Sequence, residues 1–184
     1  MVAEPGPLFT IGHSTRSIDE FADMLRAAGI RRLVDVRSIP KSLRNPQYHV
    51  DRLGEALASF QIGYERNDAL GGRRPKSKTV ASDVNAWWTN QSFHNYADYA
   101  LGEAFAEGLA ALLAESAERP TAIMCAEAVW WRCHRRIVAD YAMHRGRAVV
   151  HLMAPGRNSD ARMTPSAVAV GPALHYPAVK GSGE

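Results

Sequence analysis

Cysteine is scarce: the 184-residue chain has two, Cys125 and Cys133. That is too few for a disulfide scaffold, and in an intracellular chain they are expected to be reduced. No apolar run reaches the roughly 20 residues that span a bilayer, because charged residues interrupt each one. Met1 to Pro7 offers neither a basic start nor an apolar stretch. No secretory signal or membrane contact is therefore expected, and the expected location is cytoplasmic. A lopsided charge is missing too: 22 basic against 19 acidic side chains leave a formal net charge of +3. That balance permits an anionic partner without demanding one. There is no internal repeat and no sign of a second domain. One domain over residues 1–184 is expected, with a core over about 8–153 and a Pro- and Gly-punctuated C-terminal extension over 154–184.

What is present is an alternation of strand and helix patterns. Leu8 to Ile11, Leu33 to Val36, Thr121 to Cys125 and Ala148 to Met153 read as buried strands, with a shorter one at Ile62 to Glu65. Ser17 followed by Glu20 makes a capping box, and Ile18, Phe21, Met24, Leu25 and Ala28 give the helix after it an apolar stripe. Gly29 suits its C-terminal cap. Further helices are expected near Val50 to Phe60, Phe93 to Ala117 and Cys133 to Arg145. A hairpin is expected around Gly171-Pro172, and a long loop over Asp68 to Asn90. This pattern predicts an α/β fold, a mostly parallel sheet of about five strands with helices on both faces.

Ligands of such sheets bind outside the carboxyl ends of the strands. There the sequence puts His13 and Ser14 after the first strand, Asp35 and Arg37 at the second, and Cys125 and Glu127 at the fourth. Cys133, His134 and Arg135 open the next helix. A thiol facing a helix N-terminus beside Arg132 and Arg135 would be stabilised as a thiolate. Cys125 is then the nucleophile or redox thiol, His134 or His13 the base that activates it, and Glu127 the group that orients the base. Arg135, Arg37, Arg16 and Arg132, with Ser14, Cys133 and Arg73, would hold an anionic substrate such as a phosphate or nucleotide. No cofactor is expected on this reading.

Several alternatives stay open. Cys125 can be a small, inert core residue. Cys125, Cys133 and His134, with His13 or Glu127, carry donors suited to zinc, although adjacent Cys133 and His134 are expected to point in different directions. Asp35 can be a general acid or simply the ion-pair partner of Arg37. The basic segment Arg73, Arg74, Lys76, Lys78 with Trp87 and Trp88 can make a nucleic-acid binding module without catalysis, or a solvated loop anchored by its tryptophans.

These motifs also carry a resemblance. Ile11-Gly12-His13-Ser14-Thr15-Arg16, Val34-Asp35-Val36-Arg37, Asn45-Pro46-Gln47, Leu70-Gly71-Gly72-Arg73, Tyr96-Ala97-Asp98-Tyr99, Met124-Cys125-Ala126-Glu127 and Cys133-His134-Arg135 resemble the family known as domain of unknown function 488. The likeness runs from about Leu8 to Pro177. It implies one α/β domain and a site at the two-cysteine motif, and it implies no particular reaction.

Overall fold

Leu8–Gly12 sends Leu8 to one apolar surface and Ile11 to the opposite one, and both are fully buried. A strand covered on both faces belongs inside a parallel sheet. The computed structural model describes residues 4–180 and places this strand, β1, near the middle of a six-stranded sheet. The others are β2 (Arg32–Asp35), β3 (Gly63–Arg66), β4 (Thr121–Cys125), β5 (Val149–Ala154) and β6 (Arg157–Asp160). Their order is β3-β2-β4-β1-β5-β6; the first five are parallel, and β6 runs antiparallel to β5 along one edge. The fold is α/β, as expected. The sixth strand was not: Arg157–Asp160 is fully exposed and polar, so it lacks the apolar signal that betrays an inner strand.

Helices α1 (Ile18–Ala27) and α2 (Val50–Ala58) cover one face. Their Phe21, Leu25, Leu53 and Leu57 pack with Ile11, Leu33, Met124 and Leu152. On the other face lie α3 (Gln91–Tyr99), α4 (Glu103–Glu118) and α5 (Arg135–His144), whose Tyr96, Phe105, Leu109, Ile137 and Val138 pack with Leu8, Val34, Ile123 and Val149. The split follows from connection handedness. The crossovers β1 to β2 to β3 step one way along the sheet and β4 to β5 the other, so a single hand puts their helices on opposite faces. The step reverses between neighbours β1 and β4, which opens a crevice at their carboxyl ends. Register keeps those ends level, with Gly12 beside Cys125 and Asp35 beside Met124.

The cap signals of α1 are realised. Ser17 Oγ accepts from Glu20 N at 3.2 Å, and Gly29, with φ +73°, lets Ile30 N return to Leu25 O. The single helix expected over Phe93 to Ala117 is instead two. Leu101 and Gly102 turn back on Asp98 and Tyr99, and Gly102 in an extended conformation starts α4 afresh. The segment after β6 holds the expected hairpin, β7 (Val168–Val170) and β8 (Ala173–His175), turning at Gly171 with φ +57°. It also reaches past the expected core boundary near residue 153. Leu174 and Tyr176 are buried, and Tyr176 donates to Asp140 of α5 at 2.9 Å. The long loop is pinned as well: Trp88 is stacked on Phe93, and Asn85 donates to Asp98. No helix among the described residues is long and apolar enough to cross a membrane.

Candidate functional site

Past the strand ends the backbone ladder continues for a step: His13 N donates to Cys125 O, Ser14 N to Ala126 O and Val36 N to Met124 O, each at 2.9–3.0 Å. Three segments are thereby locked around a cavity of about 550 Å³ lined by both cysteines, His13, Arg37, Glu127, Arg132, His134 and Arg73, with Ser38, Ile39 and Lys41 at its side. Gly12 makes the close approach possible. A Cβ there would stand 1.7 Å from the Glu127 carbonyl oxygen.

Arg135 lies behind the two cysteines and is not itself part of the lining. It is 1% exposed, and its guanidinium donates to Cys125 Sγ (3.0 Å), Thr10 Oγ1 (3.0 Å) and the Glu127 carbonyl (2.8 Å). Its backbone N–H reaches Cys133 Sγ at 3.5 Å. No carboxylate pairs with this guanidinium among the described residues. A buried charge needs a counter-charge, and the two free thiols are the groups in place to supply it. Burial opposes ionisation of Cys133, but the hydrogen bond from Cys125 and the charge and N–H groups of Arg135 bring its thiol down to about 7. Burial, then the bond and charge of Cys133, push Cys125 well above the usual thiol range. The pair therefore gives up one proton early and keeps the other.

His134 completes this group. Its Nε2 contacts the Val36 carbonyl at 2.9 Å, and its Nδ1 lies 3.4 Å from Cys133 Sγ. A carbonyl only accepts, so Nε2 carries the ring proton and Nδ1 offers its lone pair to the thiol. Burial lowers the His134 pKa, which keeps that lone pair free. The expectation that Cys133 and His134 point apart is thus corrected. The 3-10 turn Trp130–Arg132 and the Val36 carbonyl swing both side chains to one side. Gly72 lets the loop close over the ring, since a Cβ there would come within 2.3 Å of Nδ1.

Asp35 is fully buried and saturated: it accepts from Arg37 N, Nε and NH2 at 3.0, 2.9 and 2.7 Å and from Tyr64 OH at 2.6 Å. This is the ion-pair alternative of the sequence reading. His13 donates from Nδ1 to the Ser14 carbonyl (2.8 Å), faces Arg37 NH1 with Nε2 (3.4 Å) and stacks on Tyr48. Burial lowers its pKa to about 4 despite the Ser14 bond, so the ring is neutral.

Other sequence candidates are placed differently. Arg16 binds the Gly12 and Met153 carbonyls and Glu20, tying β1 to β5 rather than lining the cavity. Ser14 holds a positive φ of 50° and also stays out of the lining. The Glu127 side chain is exposed, and it is the residue's carbonyl that grips Arg135. Arg132 and Arg73 sit exposed at the mouth. The zinc alternative rests on Cys125, Cys133 and His134. No group of three or more His, Cys, Asp or Glu is placed to hold a metal among the described residues. Arg135, donating to both thiols, would set a second positive charge beside any cation there.

Two residues escaped the sequence reading, Thr10 and His151. Both are buried, and Thr10 Oγ1 lies 2.6 Å from His151 Nδ1. Since Thr10 already accepts from Arg135, its hydroxyl donates onward and Nδ1 is the acceptor. The clue was a polar residue inside each of two apolar strands, LFTIG and VVHLMA. Burial and then the charge of Arg135 lower the His151 pKa to about 3.

These two neutral histidines predict acid sensitivity. Their folded pKa values lie below the unfolded value near 6.5, so between those limits the unfolded chain binds protons that the folded chain refuses. The stability they confer is complete above about pH 6.5 and is lost as pH falls through the window toward 4. At about pH 5 the loss is expected to reach about 2 kcal/mol for each ring. Urea unfolding at about pH 7.5 and about pH 5 checks this, and equal midpoints would show that the rings protonate freely in the folded state.

No curated protein and no solved structure matches this chain. A family model does: the one described as Domain of unknown function DUF488 matches residues 17–142, from the cap of α1 into α5 and across the two-cysteine segment, and the chain belongs to that family.

Proposed function

We propose that the protein is a thiol-dependent enzyme acting on an anionic substrate that carries a phosphate or similar oxyanion. The observation that carries this reading is the buried Arg135, answered by no carboxylate among the described residues and donating to two thiols that line an open cavity. Cys133 takes the nucleophile's part, because the backbone N–H of Arg135 donates to its sulfur and His134 Nδ1 lies beside it to receive the proton. Cys125, the nucleophile of the sequence reading, becomes its hydrogen-bonded partner. Lys41, Arg73 and Arg132 at the mouth suit the substrate's negative charge, whereas the charge of Arg37 is cancelled by Asp35.

The rival reading, a nucleic-acid binding module built on the Trp-bearing loop, loses one of its stacking surfaces. Trp88 is 6% exposed and stacked on Phe93, so it has no face to give a base. The test is the alkylation rate of each cysteine against pH, resolved by peptide mass spectrometry. Cys133 should react with a midpoint near 7 and Cys125 far more slowly. Two midpoints at or above the ordinary thiol value of about 8.5 would defeat the proposal.

A further inference from the structure

We propose that Cys125 and Cys133 form a reversible disulfide, and that closing it turns the cavity into a tighter site for a free oxyanion such as inorganic phosphate. This rests on the thiol reading above. Both sulfurs are anchored to one residue, Cys125 by the Nε of Arg135 and Cys133 by its backbone N–H, and both line the same cavity. The two cysteines are held on separate rigid supports, the end of β4 and the entry to α5.

The argument turns on charge. With the thiols reduced, the thiolate neutralises Arg135. A disulfide has no charge to offer, yet the guanidinium cannot leave, because Thr10 Oγ1 and the Glu127 carbonyl hold it at 1% exposure. Oxidation therefore leaves one uncompensated positive charge directly behind the two cysteines that line a cavity whose rim already carries Lys41, Arg73 and Arg132. An anion entering the cavity replaces the lost counter-charge. By linkage, an anion that prefers the oxidised form stabilises the disulfide by the same factor. Without the anion the couple is oxidising, for the reason that any couple is whose reduced form is favoured by a stabilised thiolate.

A low-molecular-weight disulfide such as oxidised glutathione is the oxidant. The Cys133 thiolate attacks one of its sulfurs, breaking the S–S bond, forming a mixed disulfide and releasing one glutathione thiolate. Cys125 then loses its proton and attacks the Cys133 sulfur, forming the internal bond and expelling the second glutathione thiolate, which carries that proton away. Two electrons pass from the protein to the oxidant, and the atoms balance.

The test equilibrates the full chain in glutathione buffers from reducing to oxidising and quantifies the Cys125–Cys133 cross-link by mass spectrometry. Inorganic phosphate is then titrated calorimetrically into the fully reduced and the fully oxidised protein. The expected result is an internal disulfide that binds phosphate at least tenfold more tightly than the dithiol. Saturating phosphate should move the redox midpoint toward the disulfide by about 30 mV for each tenfold preference. Accumulation of mixed disulfides without the internal bond, or equal phosphate affinity in the two states, overturns the proposal. The alkylation profile of the reduced protein separates the two possible failures. A Cys133 midpoint near 7 with no cross-link sinks the switch alone, whereas ordinary midpoints sink the thiol reading with it.

Discussion

Arg135→Met should abolish the early ionisation of the thiol pair. Methionine keeps the site dry and fills much of the space, but it removes the guanidinium that, together with the Cys125 bond, lowers the Cys133 pKa. Burial, which opposes the thiolate, is then countered only by the Cys125 bond and the backbone N–H of residue 135, so the midpoint should climb toward the ordinary thiol value of about 8.5. Alkylation of Cys133 near pH 7 tracks the thiolate fraction and should fall at least tenfold. Arg135→Lys separates charge from shape. It retains the cation but cannot reach Cys125, Thr10 and the Glu127 carbonyl together, so it should recover only part of the rate. A Cys133 midpoint unchanged by the methionine variant would mean that something other than Arg135 stabilises the thiolate.

Asp35→Ala is expected to cost the most stability. Among the described residues the carboxylate is the only anion facing Arg37, and it also accepts from Tyr64, at 0–6% exposure for the charged pair. Removing one member of a buried ion pair strands the other, typically at about 3–5 kcal/mol. For a chain of this size that corresponds to a fall in Tm of roughly 6–20 °C. The double replacement Asp35→Leu with Arg37→Met removes both charges and should restore much of the loss, because a matched apolar pair carries no stranded ion. A single variant within about 1 kcal/mol of the parent would show that Arg37 finds another partner or water.

The strands that form the site were legible because burial on both faces leaves unbroken apolar runs, as in Thr121–Cys125. The same logic explains what was missed. β6 is an exposed edge with no apolar pattern, and the break between α3 and α4 depends on one glycine in an extended conformation. Within the site, sequence proximity located the cysteines, His134 and Arg135, but not their directions. The meeting of Cys133 with His134 depends on a carbonyl at Val36, nearly a hundred positions away. Arg16 shows the opposite error: an arginine among motif residues looked like an anion ligand, while backbone carbonyls at the ends of β1 and β5 already occupied it. Thr10 and His151 were visible as polar intrusions in apolar strands, a signal that marks burial of something polar without saying what it serves.

The position of β1 between β4 and β5 has a consequence for how the molecule comes into being. Its two pairing partners lie more than a hundred residues further along the chain, Cys125 beside Gly12 and Leu152 beside Ile11. A ribosome adding about 5–20 residues per second makes this strand wait several seconds or more for either neighbour. Loops of that length are costly to close, which slows folding and leaves an apolar segment exposed meanwhile. Arg135 cannot gain its Thr10 anchor until that closure occurs, so in nascent chains the guanidinium is not yet fixed behind the two cysteines, and their reactivity matures as β1 is paired.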